Sequence, residues 1–417
     1  MTRRHDIDAL RAFAFALVIL YHVGMYYVAG WHWHLKSPHA AEWLQWPMRA
    51  LSAWRMELVF LVAGLALGFA AQGRSGPRLL GQRSLRLLLP LAFGMVAVVP
   101  YQAYAQGVAN GLVAPGFGAF LLRYFAGERW PAAAFDGADP GLTWNHLWTL
   151  PYLWVYTALW IALQPALTSN RSRRFADALA GWRGSALVLL AFVPLALYRM
   201  VLAPHFPATH DLLHDHFWHA RYGTLFAYGC WIGRADGLWP ELLRLRRRLL
   251  VAALLALALH SLVRATWPTP AAALLRDFYG WCALLAILGF AHRWLNHPWR
   301  WLPWARESVF PWYVLHQTLT IALAVALAPL GLGPWLEPAL VLAGTVLGCW
   351  LLTDGVVRRV AWLRPLFGLP AAADKPPRPP GQFRPRARPR CRPPGWPARP
   401  AARSACAPGR PCRPGTW

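Results

Sequence analysis

The sequence predicts an all-α fold, a polytopic integral membrane bundle of about ten transmembrane helices with both termini cytoplasmic. Three observations carry that expectation. Hydrophobic residues make up 57% of the 417 positions against 14% charged, too apolar for a soluble chain of this length. Apolar runs of spanning length recur near residues 7–28, 49–71, 86–105, 144–166, 184–203, 217–234, 249–267, 274–292, 307–329 and 335–356. Arginines fill every second loop: Arg3/Arg4, Arg74/Arg78/Arg83, Arg171/Arg173/Arg174/Arg183, Arg244/Arg246/Arg247/Arg248, Arg293/Arg300/Arg306 and Arg358/Arg359/Arg364. The positive-inside rule then places both ends in the cytoplasm. The net charge of +25 lies in these loops and in a Pro/Arg-rich tail, with no folded basic domain, which argues against a nucleic-acid partner. The six cysteines show no CxxC or metal-type spacing.

The first run, Asp6 to Tyr27, carries Asp8, Arg11 and His22 on one helical face. Arg11 and His22 fall roughly 16 Å apart along it. An ionised side chain facing lipid costs at least ~2.5 to 3.5 kcal/mol, so the face is expected to look into protein or a wet cavity. A snorkelling Arg11 and an interfacial His22 are the plainer reading. Thr2-Arg3-Arg4 before an apolar run resembles a signal peptide, but Asp8 and Arg11 interrupt the run and no small-residue cleavage site follows His22. The helix is read as an uncleaved span.

The second run opens with Arg55-Met56-Glu57, placing a carboxylate in the membrane that needs a cationic partner, with Arg55 or Arg221 as candidates. At the cytoplasmic start of the third, Arg83 and Arg86 at i and i+3 present two planar forks in one direction, suited to phosphate or simply topogenic. A Gly/Pro/Ala-rich external loop covers about 106–142. Asn145 and His146 open the fourth run, and Arg199 and Arg221 lie near external helix ends. The cluster from His205 to His219 places His210 and His214 at i, i+4, but on an external loop with no HExxH, so no metal site is assigned. His316 sits midway through the ninth run. From residue 371 the Pro/Arg/Ala/Gly composition is unable to bury a core, giving two parts: a membrane domain over 1–370 and a disordered cytoplasmic tail over 371–417.

Arg11 with ten residues before His22, Arg83-x-x-Arg86, a His-Leu-Trp at 146–148 and Ser308-x-x-x-x-Tyr313-x-x-His316 together resemble the membrane-bound acyltransferase 3 family. Trp33-His34-Leu35-Lys36-Ser37 and an Arg-Met-x-x-x-Phe-x-x-x-Gly run from Arg55 to Gly64 resemble its glucan-modifying members. The likeness spans roughly residues 5–360. It implies acyl transfer from cytoplasmic acyl-CoA, used as a substrate with no resident cofactor, to a hydroxyl of a periplasmic or lipid-linked glycan. A bacterial inner-membrane setting, with membrane lipid and glycan-synthesis machinery as further partners, comes from the same likeness. Arg83 and Arg86 would hold CoA phosphates. His22 would act as general base or be transiently acylated, among Arg11, Asp8, Glu57 and His316. Arg11 would orient the donor or pair with Asp8. For a succinyl donor, an outer arginine such as Arg55, Arg199 or Arg221 would clamp the free carboxylate, and Asn145 and His146 would meet the acceptor. The competing class is a transporter, since intramembrane Arg, His and Glu also line solute paths; no inverted repeat is visible.

Overall fold

The computed structural model describes residues 4–71, 75–139, 141–167, 181, 183–234 and 237–371. Arg3, Arg74, Arg171, Arg173, Arg174 and the expected tail from 372 onward lie outside the described residues. The described chain is helical. Helix α1 spans His5–Tyr27, α2 Gln45–Ser52, α3 Arg55–Ala70, α4 Gly76–Ala97, α5 Pro100–Ala109, α6 Phe117–Phe125 and α7 Thr149–Ala162. Then follow α8 Gly184–Val201, α9 His216–Ile232, α10 Leu238–Val263, α11 Thr269–Trp294, α12 Leu302–Leu327 and α13 Gly333–Leu351.

Among the described residues seven helical segments are long and apolar enough to cross a membrane, which corrects the expected ten and still makes this a multi-pass membrane protein. The other three expected runs do form helices. Helix α7 has only 14 residues and α9 only 17, and α10 carries Arg244, Arg246, Arg247 and Arg248 in its first half. The third run also divides differently. Its helix begins at Gly76, ten residues before the expected start, and breaks after Ala97, so that α5 is a separate segment.

Helix α1 is the hub, packing against α3, α11, α12 and α13. On one side Ile7, Leu10, Ala14 and Val18 enter a core built with α3, α9, α10 and α11. A second core joins α4, α7, α12 and α13 through Leu87, Leu91, Leu150, Val314 and Cys349. A helix that is apolar on most sides is held by packing on all of them, and α1 has no single hydrophobic face.

Short α9 stays in the bundle because glycines let it approach α3 closely. Gly64 and Gly68 on α3, and Gly229 on α9 with Gly233 just past its end, repeat at i, i+4. A Cβ on Gly64 would overlap the Phe226 carbonyl, and one on Gly229 would overlap that of Leu61. Gly64→Leu is therefore expected to cost about 1–3 kcal/mol or more by overpacking. The readout is the midpoint of thermal unfolding in detergent. Gly81→Leu, where an added carbon meets nothing within 4 Å, should leave it unchanged.

Candidate active site

Two histidines meet where α1 packs on α12. His22 Nδ1 lies 2.7 Å from His316 Nε2, with the ring planes parallel to within 2°. The other His316 nitrogen decides the tautomer. Nδ1 is 2.8 Å from the Tyr313 carbonyl and 3.2 Å from that of Trp312, so it must carry a proton and donate. His316 Nε2 is then an acceptor, and His22 Nδ1–H donates to it. The lone pair of His22 is left on Nε2. His316 is fully buried, whereas His22 keeps partial exposure beneath the Trp33 ring.

Around this dyad runs a chain of amides and imidazoles with one consistent set of proton positions. His146 Nε2–H donates to the carbonyls of Tyr313 and Val314 at 3.1 and 3.2 Å, and its Nδ1 accepts from Gln102 Nε2 at 3.3 Å. Asn145 Nδ2 reaches Gln102 Oε1 at 3.2 Å, and Gln317 Nε2 donates to that same oxygen at 3.0 Å and to His34 Nε2 at 2.8 Å. His34 Nδ1–H donates to Gln106 Oε1 at 2.7 Å and faces Asp136 Oδ2 at 3.1 Å. Burial pushes the His34 imidazole down, only partly offset by Asp136. The Lys36 ammonium caps α1 through the carbonyls of Met25 at 2.6 Å and Val28 at 2.9 Å, and burial lowers it to about 8. His146, expected to meet substrate, is buried with both ring nitrogens engaged, one of them on the carbonyls that precede His316 in its helix.

One turn into α3 a second polar group forms. Arg221 Nε donates to Glu57 Oε1 at 2.6 Å and its Nη1 to Asp277 Oδ2 at 3.0 Å, while Arg199 grips Asp277 in a bidentate pair at 2.6 and 3.0 Å. Of the two partners expected for Glu57, the structure selects Arg221. Arg55 takes no part in these pairs. Its guanidinium is buried, stands 3.6 Å from the Tyr21 ring centroid, and leaves Nε and Nη1 without a hydrogen-bond partner. It lies within electrostatic reach of both His22 and His316.

At the far end of α1, Arg11 pairs with Asp8 at 3.2 Å. Arg86 lies within electrostatic reach of Arg11, Arg83, Arg306 and Asp8, so guanidiniums from α1, α4 and α12 converge on one end of the bundle. Arg86 is exposed and Arg83 half-buried. Phe15 and Tyr313 meet edge to face between this cluster and the dyad.

Sequence reasoning missed Gln102, Gln106, Gln317, Asp277 and Arg306. A signal existed for three of these: Gln102 and Gln106 stand at i, i+4 in an apolar stretch, and Asp277 is a lone acid in the run at 274–292. His210 and His214 precede α9, with His210 in the left-handed region at φ 54°, so their spacing does not place them on one helix face. Among the described residues no three His, Cys, Asp or Glu side chains converge as a metal site would require.

The family model described as an acyltransferase domain matches residues 4–354, most of the chain. No curated protein and no solved structure matches. With its spanning helices and this match, the chain belongs to the membrane-bound acyltransferase 3 family.

Proposed function

We propose that this chain is an O-acyltransferase that moves an acyl group from acyl-CoA to a hydroxyl of a glycan, with His22 as the general base. The observation that carries the reading is the dyad, in which the Tyr313 carbonyl fixes His316 and His316 fixes His22 with its Nε2 lone pair free. The acceptor hydroxyl gives its proton to Nε2 while its oxygen attacks the thioester carbonyl. The tetrahedral intermediate expels the CoA thiolate, which takes the proton back from the imidazolium. His316 Nε2 accepts from His22 Nδ1–H throughout, so it is a positioning residue.

Arg83 and Arg86, joined by Arg11 and Arg306, are the donor-phosphate site, since forked guanidiniums suit phosphate better than ammonium groups do. Asp8 holds Arg11. Glu57 and Arg221 brace α3 against α9 and carry no step of the chemistry. The likeness to glucans biosynthesis protein C favours a succinyl donor and a periplasmic glucan acceptor. Arg199 and Arg221 are already paired with Asp277 and Glu57, which leaves Arg55 as the clamp for a succinyl carboxylate. Asn145 borders the acceptor side. The arginine-rich end faces the cytoplasm and both termini lie there, with the protein in a bacterial inner membrane beside glycan-synthesis machinery.

His22→Ala should lower the acyl increment on periplasmic and lipid-linked glycans, read by mass spectrometry at matched expression, by about 10²–10⁴-fold. His316→Gln should lose less, because its side-chain oxygen still accepts from His22; full activity in His22→Ala would sink the base assignment. Arg83→Gln and Arg86→Gln should raise KM for acyl-CoA with kcat little changed in purified protein. Arg55→Gln should depress transfer from succinyl-CoA while sparing acetyl-CoA. Equal loss with both donors would instead make Arg55 an oxyanion contact.

A further inference from the structure

The flank of the bundle between α1, α10, α11 and α12 carries an apolar groove of about 980 Å³ that the proposed chemistry does not use. It runs from Trp54 and Tyr279 at the His22 end, past Ala16 and Leu254, to Trp294 and Trp301 at the Arg11 end. Leu254 and Trp294 are exposed, so the groove opens sideways. Its wall is continuous with a cationic patch. Trp54 Nε1 donates to Tyr279 OH, which donates to the Ala50 carbonyl beside Arg49, and Arg276 stands one turn before Tyr279 on α11.

The patch comprises Arg49 on α2, Arg264 just past α10 and Arg276 on α11; Arg49 lies within electrostatic reach of the other two, and His260 within reach of all three. Among the described residues none of the three arginines joins an ion pair. Their hydrogen bonds are to neutral groups: Arg49 to Gln45 at 2.8 Å and Arg276 to Ser52 at 3.1 Å, with Arg264 lying 5.0 Å from the Trp46 ring. Buried Arg49 Nε has no partner. The nearby carboxylates, Glu57 and Asp277, are engaged by Arg221 and Arg199. Exposed Trp46, against Arg264, and exposed Trp267, three residues beyond it, flank the patch as interfacial residues do.

A hydrocarbon groove ending in unpaired guanidiniums has the polarity of an amphiphile with an anionic head. We infer that the groove and patch together form a site for an anionic membrane phospholipid, its chain against Ala16 and Leu254 and its phosphate on Arg49, Arg264 and Arg276. Several cations around one phosphate favour a lipid of net negative charge over a zwitterionic one. The site stands on geometry independent of the acyl-transfer reading.

The test is native mass spectrometry of the detergent-purified full chain titrated with dioleoyl-phosphatidylglycerol, dioleoyl-phosphatidylcholine or dioleoylglycerol. Phosphatidylglycerol is expected to bind roughly tenfold or more tightly than either of the others. Arg49→Gln/Arg264→Gln/Arg276→Gln should abolish that preference, and Arg264→Gln alone, at an exposed position, should weaken it without a folding cost. Ala16→Phe, which fills the groove, should weaken all three lipids. Arg293→Gln/Arg300→Gln, at the opposite end, should change nothing. Equal binding of the three lipids, or a preference surviving the triple substitution, overturns the site. Loss of preference only in Arg293→Gln/Arg300→Gln overturns its orientation. Displacement of phosphatidylglycerol by equimolar undecaprenyl phosphate overturns the phospholipid and makes the occupant a polyprenyl phosphate.

Discussion

The bundle depends on neutralising charges that its helices cannot leave in contact with hydrocarbon. Arg221, fully buried, binds Glu57 of α3 and Asp277 of α11 from its own place on α9, and Arg199 of α8 completes the set. Four helices are thus registered by one ionic cluster of two guanidiniums and two carboxylates. Each charge is tolerable only because the others are present, since a buried ion without its partner is strongly unfavourable. The glycine seam between α3 and α9 and the Arg221–Glu57 pair fix the same interface by different means. The seam sets the distance between the helices and the ion pair sets the register.

That registration determines what remains reactive. Glu57 is two residues beyond Arg55, and anchoring the first turn of α3 through Glu57 holds Arg55 against Tyr21, one residue from His22 on α1. The cluster holds Arg199 and Arg221 in ion pairs, while Arg55, outside it, keeps buried Nε and Nη1 without a hydrogen-bond partner near the imidazole pair. An arginine whose donors are satisfied inside the protein has little to offer a ligand, whereas Arg55 does.

The sequence made the first helix legible because its polar residues follow the helical period, and a membrane-length apolar helix has few reasons to carry Asp8, Arg11 and His22 on one face. His316 was legible for the same reason, as an ionisable group inside an apolar run. The pairing of Glu57 with Arg221 was among the expected alternatives. The partner of His22 was not, because contact between α1 and α12 joins residues 294 positions apart and no local period encodes it. The amide chain through Gln102, Gln106 and Gln317 was hidden similarly: uncharged amides leave the hydropathy of a run almost unchanged. At α9 the count of spans failed because burial in protein replaces burial in lipid. Helix α9 is short, yet it is wrapped by α3 and α8 and needs no bilayer length of its own.

The choice of a backbone carbonyl behind His316 follows from the charge around it. In a catalytic triad a carboxylate orients the histidine and compensates the imidazolium that forms. A carboxylate placed here would stand within reach of Arg55, and the two opposite charges in a dry site would pair, removing Arg55 as a partner for an anionic group. A neutral carbonyl fixes the same tautomer through the same hydrogen bond without offering that partner. On the proposed mechanism, the positive charge that develops on His22 is then balanced by anionic groups brought by the substrates. The proposed base would work best once a donor had delivered negative charge beside it, coupling proton removal from the acceptor to occupancy of the donor site.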